Sequence, residues 1–427
     1  MLEDAAELLF YNNKLKGGII QMKKRIIGIS LTLCILLAGQ MAGAASELSY
    51  KGQVRQVSTY HAKAKIQTIK FDNGDRYVGT LRKGKMHGKG TLYLKDKSKY
   101  EGEFINGKFT GMGKFTYPDG AYYIGQFKNY KFCGQGEFHD SYGNIMKGQF
   151  FDDKMNGKGS IYFKNGNVYE GEVKNDLCEG KGTLVTNYGK YVGEFKAGKK
   201  NGPGKFFNNL GSIYEGNYCD GSLKGHVTIC FDKDLKVEGI LEEGYLVGKT
   251  TVTYKGKKEL VDFSEETRIQ IGEDLLLFDS MLAYRGGIKE GVFDGKGILL
   301  ADEFKTEATF KEGDPVEGTM KYPSGETYKG LFDERFHLLQ GTAETSKGGR
   351  FQVAYAGGVT QCTGSIKIEG QLKKVEYGLN ENDEFEYFKL DNKTYEAELT
   401  DEADVDEVKL VNESGEVIKF LKAYLFF

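Results

Sequence analysis

The chain has no tryptophan, only four prolines and only five histidines among its 427 residues. It has instead 59 glycines, 27 tyrosines and 28 phenylalanines. Aromatic residues favour the pleated surface of a sheet and glycine favours turns, whereas glycine is unfavourable inside helices. The composition therefore predicts an all-β protein.

Patterns that carry catalytic or metal chemistry are also scarce. The six cysteines include no C-x-x-C pair and no accompanying histidine pair, which argues against a zinc site or a disulfide framework. Pairing of Cys219 with Cys230 across one hairpin remains an alternative to idle thiols. No His-Arg-Asp loop occurs, and Asp262-Phe263-Ser264 is not the Asp-Phe-Gly of a kinase. We therefore expect no enzyme activity, no cofactor and no metal.

The N-terminal part of the chain divides into three segments. Residues 1–21 fit no targeting pattern and are interpreted as lying upstream of the true start at Met22. Residues 22–45 have the basic start, apolar stretch and small-residue end of a secretory signal peptide. An uncleaved anchor is the alternative, because residues 26–45 match the ~20 residues that span a bilayer. We predict cleavage and a secreted or cell-surface protein, with a lead-in at 46–76.

A tyrosine or its replacement recurs every 22 or 23 residues in eight copies. Glycine follows two residues later and an apolar residue four residues later in every copy; further glycines follow eleven residues after each start, and an apolar residue fifteen after. The starting residues are Tyr77, Tyr100, Tyr123, Met146, Tyr169, Tyr191, Tyr214 and Val237. Because side chains alternate along a strand, ring, glycine and apolar residue share one face. Each copy is therefore predicted to be a β-hairpin.

The glycines support this prediction in two ways. The dipeptides Asn106-Gly107, Asp119-Gly120, Asn165-Gly166 and Asn201-Gly202 accept positive φ and indicate tight turns between strands. The glycines at strand positions leave space for the aromatic rings to lie flat across neighbouring strands.

One clear copy, residues 100–113, reads Tyr-Glu-Gly-Glu-Phe-x-Asn-Gly-Lys-x-x-Gly-x-Gly and resembles the MORN (membrane occupation and recognition nexus) repeat. The resemblance implies an elongated, single-layer antiparallel β-meander that is twisted and grooved, with one hairpin per repeat. It also implies roles in scaffolding, protein association and phospholipid contact. Residues 77–256 make up eight regular repeats of this kind.

The repeat weakens after residue 256. Tyr284 begins a ninth good copy and worn copies follow it, while segments 257–283 and 370–394 fit the pattern poorly. We interpret 257–427 as degenerate repeats that continue one long ribbon and cap it. A separate C-terminal domain is the alternative.

Charge is distributed unevenly along the chain. Residues 77–256 carry 27 Lys plus Arg and 20 Asp plus Glu, whereas residues 257–427 carry 21 and 35. The first repeat holds a candidate patch for an anionic surface. Its residues are Arg82, Lys83, Lys85, Lys89, Lys95, Lys97 and Lys99. A solvated outer face with cross-strand ion pairs is the alternative interpretation.

The ring face is the second candidate binding surface, because exposed apolar patches often mark contact sites. Its residues are Tyr77, Tyr100, Tyr123, Tyr169, Tyr191, Tyr214, Phe104 and Phe127. The alternative is that these rings form the core of the ribbon. The function predicted from the sequence is a non-catalytic scaffold for protein–protein or self-association outside the cytoplasm. Peripheral binding of anionic lipid or cell-wall polymer is the alternative, and no nucleic acid partner is expected.

Overall fold

A computed structural model describes residues 54–59, 66–368, 370–380, 385–402, 405–411 and 417–421. The proposed start, the signal peptide, and residues 46–53 and 60–65 of the lead-in lie outside these residues. Within them the chain forms β-strands and no helix, and consecutive strands pair antiparallel in two open sheets. The predicted all-β meander of hairpins is confirmed.

The first sheet contains β1 Val54–Thr59, β2 Gln67–Phe71, β3 Arg76–Arg82, β4 Lys85–Tyr93, β5 Lys99–Ile105, β6 Lys108–Thr116, β7 Tyr122–Lys128, β8 Lys131–His139, β9 Ile145–Phe151, β10 Lys154–Tyr162, β11 Val168–Lys174, β12 Leu177–Thr186, β13 Gly189–Lys196, β14 Lys199–Asn208, β15 Ile213–Cys219, β16 Ser222–Cys230, β17 Leu235–Glu242, β18 Tyr245–Tyr254 and β19 Lys257–Asp262. The second sheet contains β20 Arg268–Ile271, β21 Leu275–Phe278, β22 Ala283–Lys289, β23 Val292–Leu300, β24 Lys305–Lys311, β25 Asp314–Lys321, β26 Thr327–Phe332, β27 Leu338–Glu344, β28 Arg350–Ala356, β29 Val359–Ile368, β30 Gln371–Leu379, β31 Phe385–Leu390, β32 Lys393–Glu402, β33 Val405–Val411 and β34 Val417–Leu421.

The expected single ribbon is interrupted after β19. This strand buries only Val261 among its six residues, so it offers little apolar surface to a following strand. The chain then turns through 263–267 and begins the second sheet at Arg268. The break falls inside 257–283, one of the two segments that fit the repeat pattern poorly.

The two sheets pack against each other through a shared apolar core. Leu241 and Val252 of the first sheet belong to the same buried cluster as Leu275 and Leu277 of the second. Polar contacts surround this cluster: Arg285 pairs with Asp232 at 2.5 Å, and Tyr254 Oη donates to Asp274 Oδ2 at 3.0 Å. Asn208 Nδ2 donates to Asp302 O at 2.5 Å.

Five of the eight regular hairpins are built around a tyrosine ring that lies on a pair of glycines, namely those that begin at Tyr77, Tyr100, Tyr123, Tyr169 and Tyr191. In the second repeat Gly102 and Gly113 are direct cross-strand partners. A Cβ atom added at Gly102 would lie 2.5 Å from Tyr100 Oη, and one added at Gly113 would lie 2.6 Å from Tyr100 Cε2. Because real Cβ atoms do not approach other atoms so closely, any larger residue would push the ring away. The predicted role of the strand glycines is confirmed.

The hairpins have two kinds of connection, on opposite sides of the first sheet. On the short-turn side, two-residue turns join the strands of one hairpin, and Asn106 and Gly107 both have positive φ (53° and 87°). On the long-turn side, loops such as 94–98 join one repeat to the next. The prediction of a turn at Asn201-Gly202 was wrong. These residues lie within β14, where Gly202 (φ 96°) accommodates a bulge in the register with β13.

The register also excludes the proposed pairing of Cys219 with Cys230. Cys219 lies opposite Ser222 at one end of the hairpin, whereas Cys230 lies opposite Ile213 at the other end. Six residues of extended strand separate the two ends by about 20 Å, and a disulfide requires Cα atoms within about 7 Å. Both thiols are free.

Candidate functional site

The eight predicted ring residues lie in the core of the first sheet. Tyr77, Tyr100, Tyr123 and Phe104 have no exposed surface, and the other four are at most 5% exposed. The rings therefore present no open face to a ligand in this structure. Their position agrees with the alternative interpretation, in which they form the core of the ribbon. A direct role of these rings in binding stays a prediction.

The hydroxyl groups of the rings are also used within the fold. Tyr100 Oη donates to Glu103 O at 3.0 Å, and Tyr169 Oη donates to Glu172 O at 2.6 Å. The faces of the rings are covered as well, because Phe109 stacks on Tyr100 at 3.8 Å between ring centroids. Burial raises the pKa of Tyr77 to about 12, so this phenol stays protonated at physiological pH.

The predicted basic patch of the first repeat does not form one surface. Arg82, Lys83 and Lys85 surround the short turn between β3 and β4, whereas Lys95 and Lys97 lie in loop 94–98 on the long-turn side. The nine residues of β4 separate these groups by about 30 Å.

The two remaining lysines of that patch lie beside carboxylates. Lys89, midway along β4, is the cross-strand partner of Glu103. Lys99 pairs with Glu101 at 2.7 Å. These two side chains fit the alternative interpretation, a solvated outer face with opposite charges side by side.

A longer basic surface follows the short-turn side through six repeats. It consists of the last residue of the first strand and the first residue of the second strand in each hairpin, which face each other across the ladder on the outer face. We call these twelve positions the basic row. They are Arg82 and Lys85, Ile105 and Lys108, Lys128 and Lys131, Phe151 and Lys154, Lys174 and Leu177, and Lys196 and Lys199.

The composition of the basic row is one-sided. Nine of its twelve positions are Lys or Arg, three are apolar and none is acidic. The row ends after the sixth repeat, where the corresponding pairs are Cys219 with Ser222 and Glu242 with Tyr245. Sequence reasoning missed this surface, although its signal is present five and eight residues after each repeat start.

Three hairpins place two cations directly opposite each other. The pairs are Arg82 with Lys85, Lys128 with Lys131, and Lys196 with Lys199. Like charges in this position destabilise a sheet. Within the described parts of the chain, only Lys131 and Lys199 of the nine cations lie within ion-pair distance of a carboxylate, Lys199 at 3.5 Å from Asp220. The arrangement therefore leaves an excess of positive charge that the fold does not neutralise.

The carboxylates of the short turns point into the structure at two places and hold neighbouring turns together. Asp153 Oδ1 accepts a hydrogen bond from Phe132 N at 2.8 Å, and Asp176 Oδ1 accepts one from Met155 N at 2.7 Å. Burial raises the pKa of both carboxyl groups. Their hydrogen bonds keep successive turns stacked, and Asp153 Oδ2 also lies 3.9 Å from Lys131 Nζ of the row.

The backbone makes the short-turn side continuous from repeat to repeat. Gly107 N donates to Met86 O at 2.8 Å, Asp176 N to Met155 O at 3.1 Å, and Gly221 N to Lys200 O at 2.9 Å. Each turn is therefore hydrogen-bonded to the preceding repeat. This packing fixes the spacing of the cations along the row.

Among the residues that the structure describes, no three His, Cys, Asp or Glu side chains lie close enough together to hold a metal ion. Over the same ranges there is no helix with the length and hydropathy of a membrane span. The basic row is thus the most distinctive chemical feature of the described surface.

Comparison with known proteins identifies the repeats. Six segments match the MORN repeat, at residues 77–99, 100–122, 123–144, 147–168, 169–187 and 191–210. MORN repeats are thus detected across residues 77–210. Repeats of this family are in general non-catalytic modules that bind proteins or membrane lipids. The six matched segments are the six repeats that carry the basic row.

Two solved structures share limited similarity with the chain. One is the TCP10 domain of Danio rerio CPAP in complex with a peptide of Danio rerio STIL, with 12% identity, 65% of this chain and 99% of that chain covered, and a TM-score of 0.17. The other is BamB from Moraxella catarrhalis, with 8% identity, 68% and 95% covered, and a TM-score of 0.12. No curated protein matches the sequence.

Proposed function

We propose that this protein is a non-catalytic repeat scaffold that binds an anionic partner along the basic row, outside the cytoplasm. The observation that carries the proposal is the set of three like-charge cross-strand pairs. A sheet that only had to be stable would alternate charges there, as Lys89 and Glu103 do on the same outer face. A binding role gives a reason for the uncompensated charge.

The location rests on the sequence alone. Residues 22–45 have the order of a secretory signal peptide, which supports a place at the cell surface or beyond it. N-terminal sequencing of the mature protein tests this part. A start near Ala45 agrees with export and cleavage, whereas a start at Met22 with the protein in the membrane fraction supports the anchor.

A protein partner, including a second copy, is the second candidate. It is favoured by two apolar side chains within the basic row: Phe151 is 74% exposed and Ile105 is 53% exposed. Exposed apolar groups beside charges are typical of protein contact surfaces. The acidic C-terminal half, with 21 Lys plus Arg and 35 Asp plus Glu in residues 257–427, offers complementary charge for self-association.

Retention on the protein's own cell envelope tests the proposal. Two full-length variants are compared with the wild type, each changing four exposed lysines to glutamine. The row variant changes Lys108, Lys128, Lys174 and Lys196, and the control variant changes Lys95, Lys97, Lys164 and Lys190 on the long-turn side.

We expect the wild type and the control variant to be retained at low salt, and the row variant to be released. Moderate salt should also release the wild type, since exposed charges are screened beyond about 10 Å at 0.1 M. Equal retention of the two variants contradicts the proposal, because their net charge is the same. If the wild type is retained on the envelope at both salt concentrations through an envelope protein, the second candidate is supported.

A further inference from the structure

We propose that the anionic partner is a linear phosphate polymer that lies along the basic row, rather than the flat surface of a membrane. This inference rests on the proposed function and names the class of its ligand. It is carried by three properties of the row: its continuity, its curvature and the kind of cation that it uses.

The row is continuous and narrow. It crosses twelve neighbouring strands, β3 to β14, which at ~4.8 Å per strand gives a length of about 53 Å. Each hairpin contributes one pair of positions, and no hairpin of the six lacks a cation. A linear polymer with a negative charge on every monomer would therefore meet at least one cation at each hairpin along this length.

The curvature of the row favours a flexible polymer over a planar membrane as the ligand. Neighbouring strands of a sheet are in general rotated by roughly 20° relative to each other, so we expect twelve strands to accumulate about 220° of twist. On this basis the short-turn side is expected to wind around the long axis of the ribbon. A planar bilayer touches only part of such a line, whereas a flexible chain follows it throughout.

The cations of the row are of a type that binds phosphate through charge alone, without hydrogen bonds to a particular group. Eight of the nine cations are lysine and one, Arg82, is arginine. Lysine binds phosphate as a point charge on a flexible stem, whereas planar, paired hydrogen bonds to a specific group favour arginine. The row is thus built to hold a repeating charge rather than one particular headgroup.

Long-chain sodium polyphosphate is the probe for this inference, and calorimetric titration of the full-length chain at several salt concentrations is the measurement. For single-stranded nucleic acid, the logarithm of the binding constant falls with the logarithm of salt concentration with a slope of about −0.7 per phosphate contact, and we expect a similar slope for a flexible polyphosphate chain. Nine contacts predict a slope of about −6 for the wild type. The slope for the row variant should be smaller in magnitude by about 3, and the slope for the control variant should equal that of the wild type.

Phosphatidylglycerol vesicles and inorganic phosphate, each at the same total phosphate concentration, are the comparisons. We expect tighter binding to polyphosphate than to either. If vesicles bind as tightly as polyphosphate and the row variant loses them, the polymer is the wrong ligand while the proposed function stands. If both variants bind polyphosphate and vesicles as the wild type does, the proposed function fails as well.

Two further outcomes are informative. Circular dichroism of both variants establishes that they fold, so that lost binding reports on the row. Concentration-dependent dimerisation of the wild type that disappears in the row variant, with no polyphosphate binding, identifies a second copy as the partner and overturns the polymer.

Discussion

Tyr123 in the first sheet and Thr306 in the second occupy the same place in a hairpin, followed at the same spacing by Gly125 and Ala308. The side chains of Tyr123 and Thr306 are both fully buried. Tyr123 Oη donates to Gln126 O at 3.3 Å, whereas the hydroxyl of Thr306 has no hydrogen-bond partner. Where this ring is absent, alanine is tolerated in the glycine position. We therefore expect Tyr123 and Gly125 to depend on each other. The hairpin itself needs only an apolar inner face.

The two sheets differ in the same way around their short turns. In the first sheet Lys128 faces Lys131, whereas in the second Lys311 faces Asp314. This hairpin of the second sheet therefore shows the arrangement expected when stability alone decides. This contrast indicates that the charge of the basic row is not a by-product of hairpin formation.

Removal of the ring from the first sheet should have the largest effect on stability. Tyr123→Ala leaves a cavity where the ring contacted Phe127, Phe132 and Phe150. We expect a loss of about 3 to 5 kcal/mol in the free energy of unfolding, measured by urea denaturation. Tyr142→Ala is the control, because Tyr142 is 48% exposed and should change little. Equal losses for the two variants contradict a core role for the ring.

The dependence between ring and glycine predicts the next largest effect. A Cβ at Gly125 would lie 2.5 Å from Tyr123 Oη, so Gly125→Ala should cost about 1 to 3 kcal/mol. The reverse change in the second sheet, Ala308→Gly, should also destabilise, by about 0.5 to 1 kcal/mol, because no ring covers the glycine. The double variant Tyr123→Thr with Gly125→Ala reproduces the second sheet. Its loss should be smaller than the sum of its single losses, and strict additivity in denaturation would show that the two positions are independent.

A smaller effect tests the charge contrast on stability. Lys85→Glu places an opposite charge across from Arg82 and should stabilise by about 0.2 to 1 kcal/mol. Lys89→Glu, on the same strand, places a like charge across from Glu103 and should destabilise by a similar amount. Thermal unfolding at low salt measures both. Identical shifts for the two variants contradict the pairing argument, since the change in net charge is the same.

The sequence was sufficient for the parts of the structure that repeat. The period of the tyrosines predicted the hairpins, and the glycine positions predicted the ring contacts, because both depend on neighbours within one repeat. Asn201-Gly202 was misinterpreted because positive φ is needed in bulges as well as in turns. The packing of the second sheet against the first brings together residues from distant repeats, and the pattern of a single repeat does not contain it.

The candidate site, too, was predicted only where it depends on residues within one repeat. Lysines close in the chain, such as Lys85 and Lys95, were grouped together, but a nine-residue strand separates them. Lysines 20 or more residues apart, such as Lys108 and Lys128, belong to one row because the register stacks their turns. Grouping by position in the repeat, rather than by distance along the chain, is what finds the row.

The dependence of stability on pH is the smallest expected effect and compares the turn carboxylates of the two sheets. Burial raises the pKa of Asp176, whereas the hydrogen bond from Lys373 Nζ lowers the pKa of Asp391 in the second sheet. A raised pKa means that the ionised Asp176 opposes folding, so the wild type should gain stability relative to Asp176→Asn as the pH falls from neutral through that raised pKa. A lowered pKa means that Asp391 stabilises when ionised. That contribution should persist at neutral pH and disappear only below the ordinary aspartate value of about 4.

Melting temperatures of the wild type, Asp176→Asn and Asp391→Asn at neutral and acidic pH measure both directions. Asparagine keeps an oxygen that accepts the backbone N–H of Met155 or of Lys374, so the charge is the main difference from aspartate. The two variants should therefore depart from the wild type in opposite directions as the solution is acidified. Parallel curves would mean that the two turn carboxylates have similar surroundings, and that burial does not set Asp176 apart from the exposed Asp391 of the second sheet.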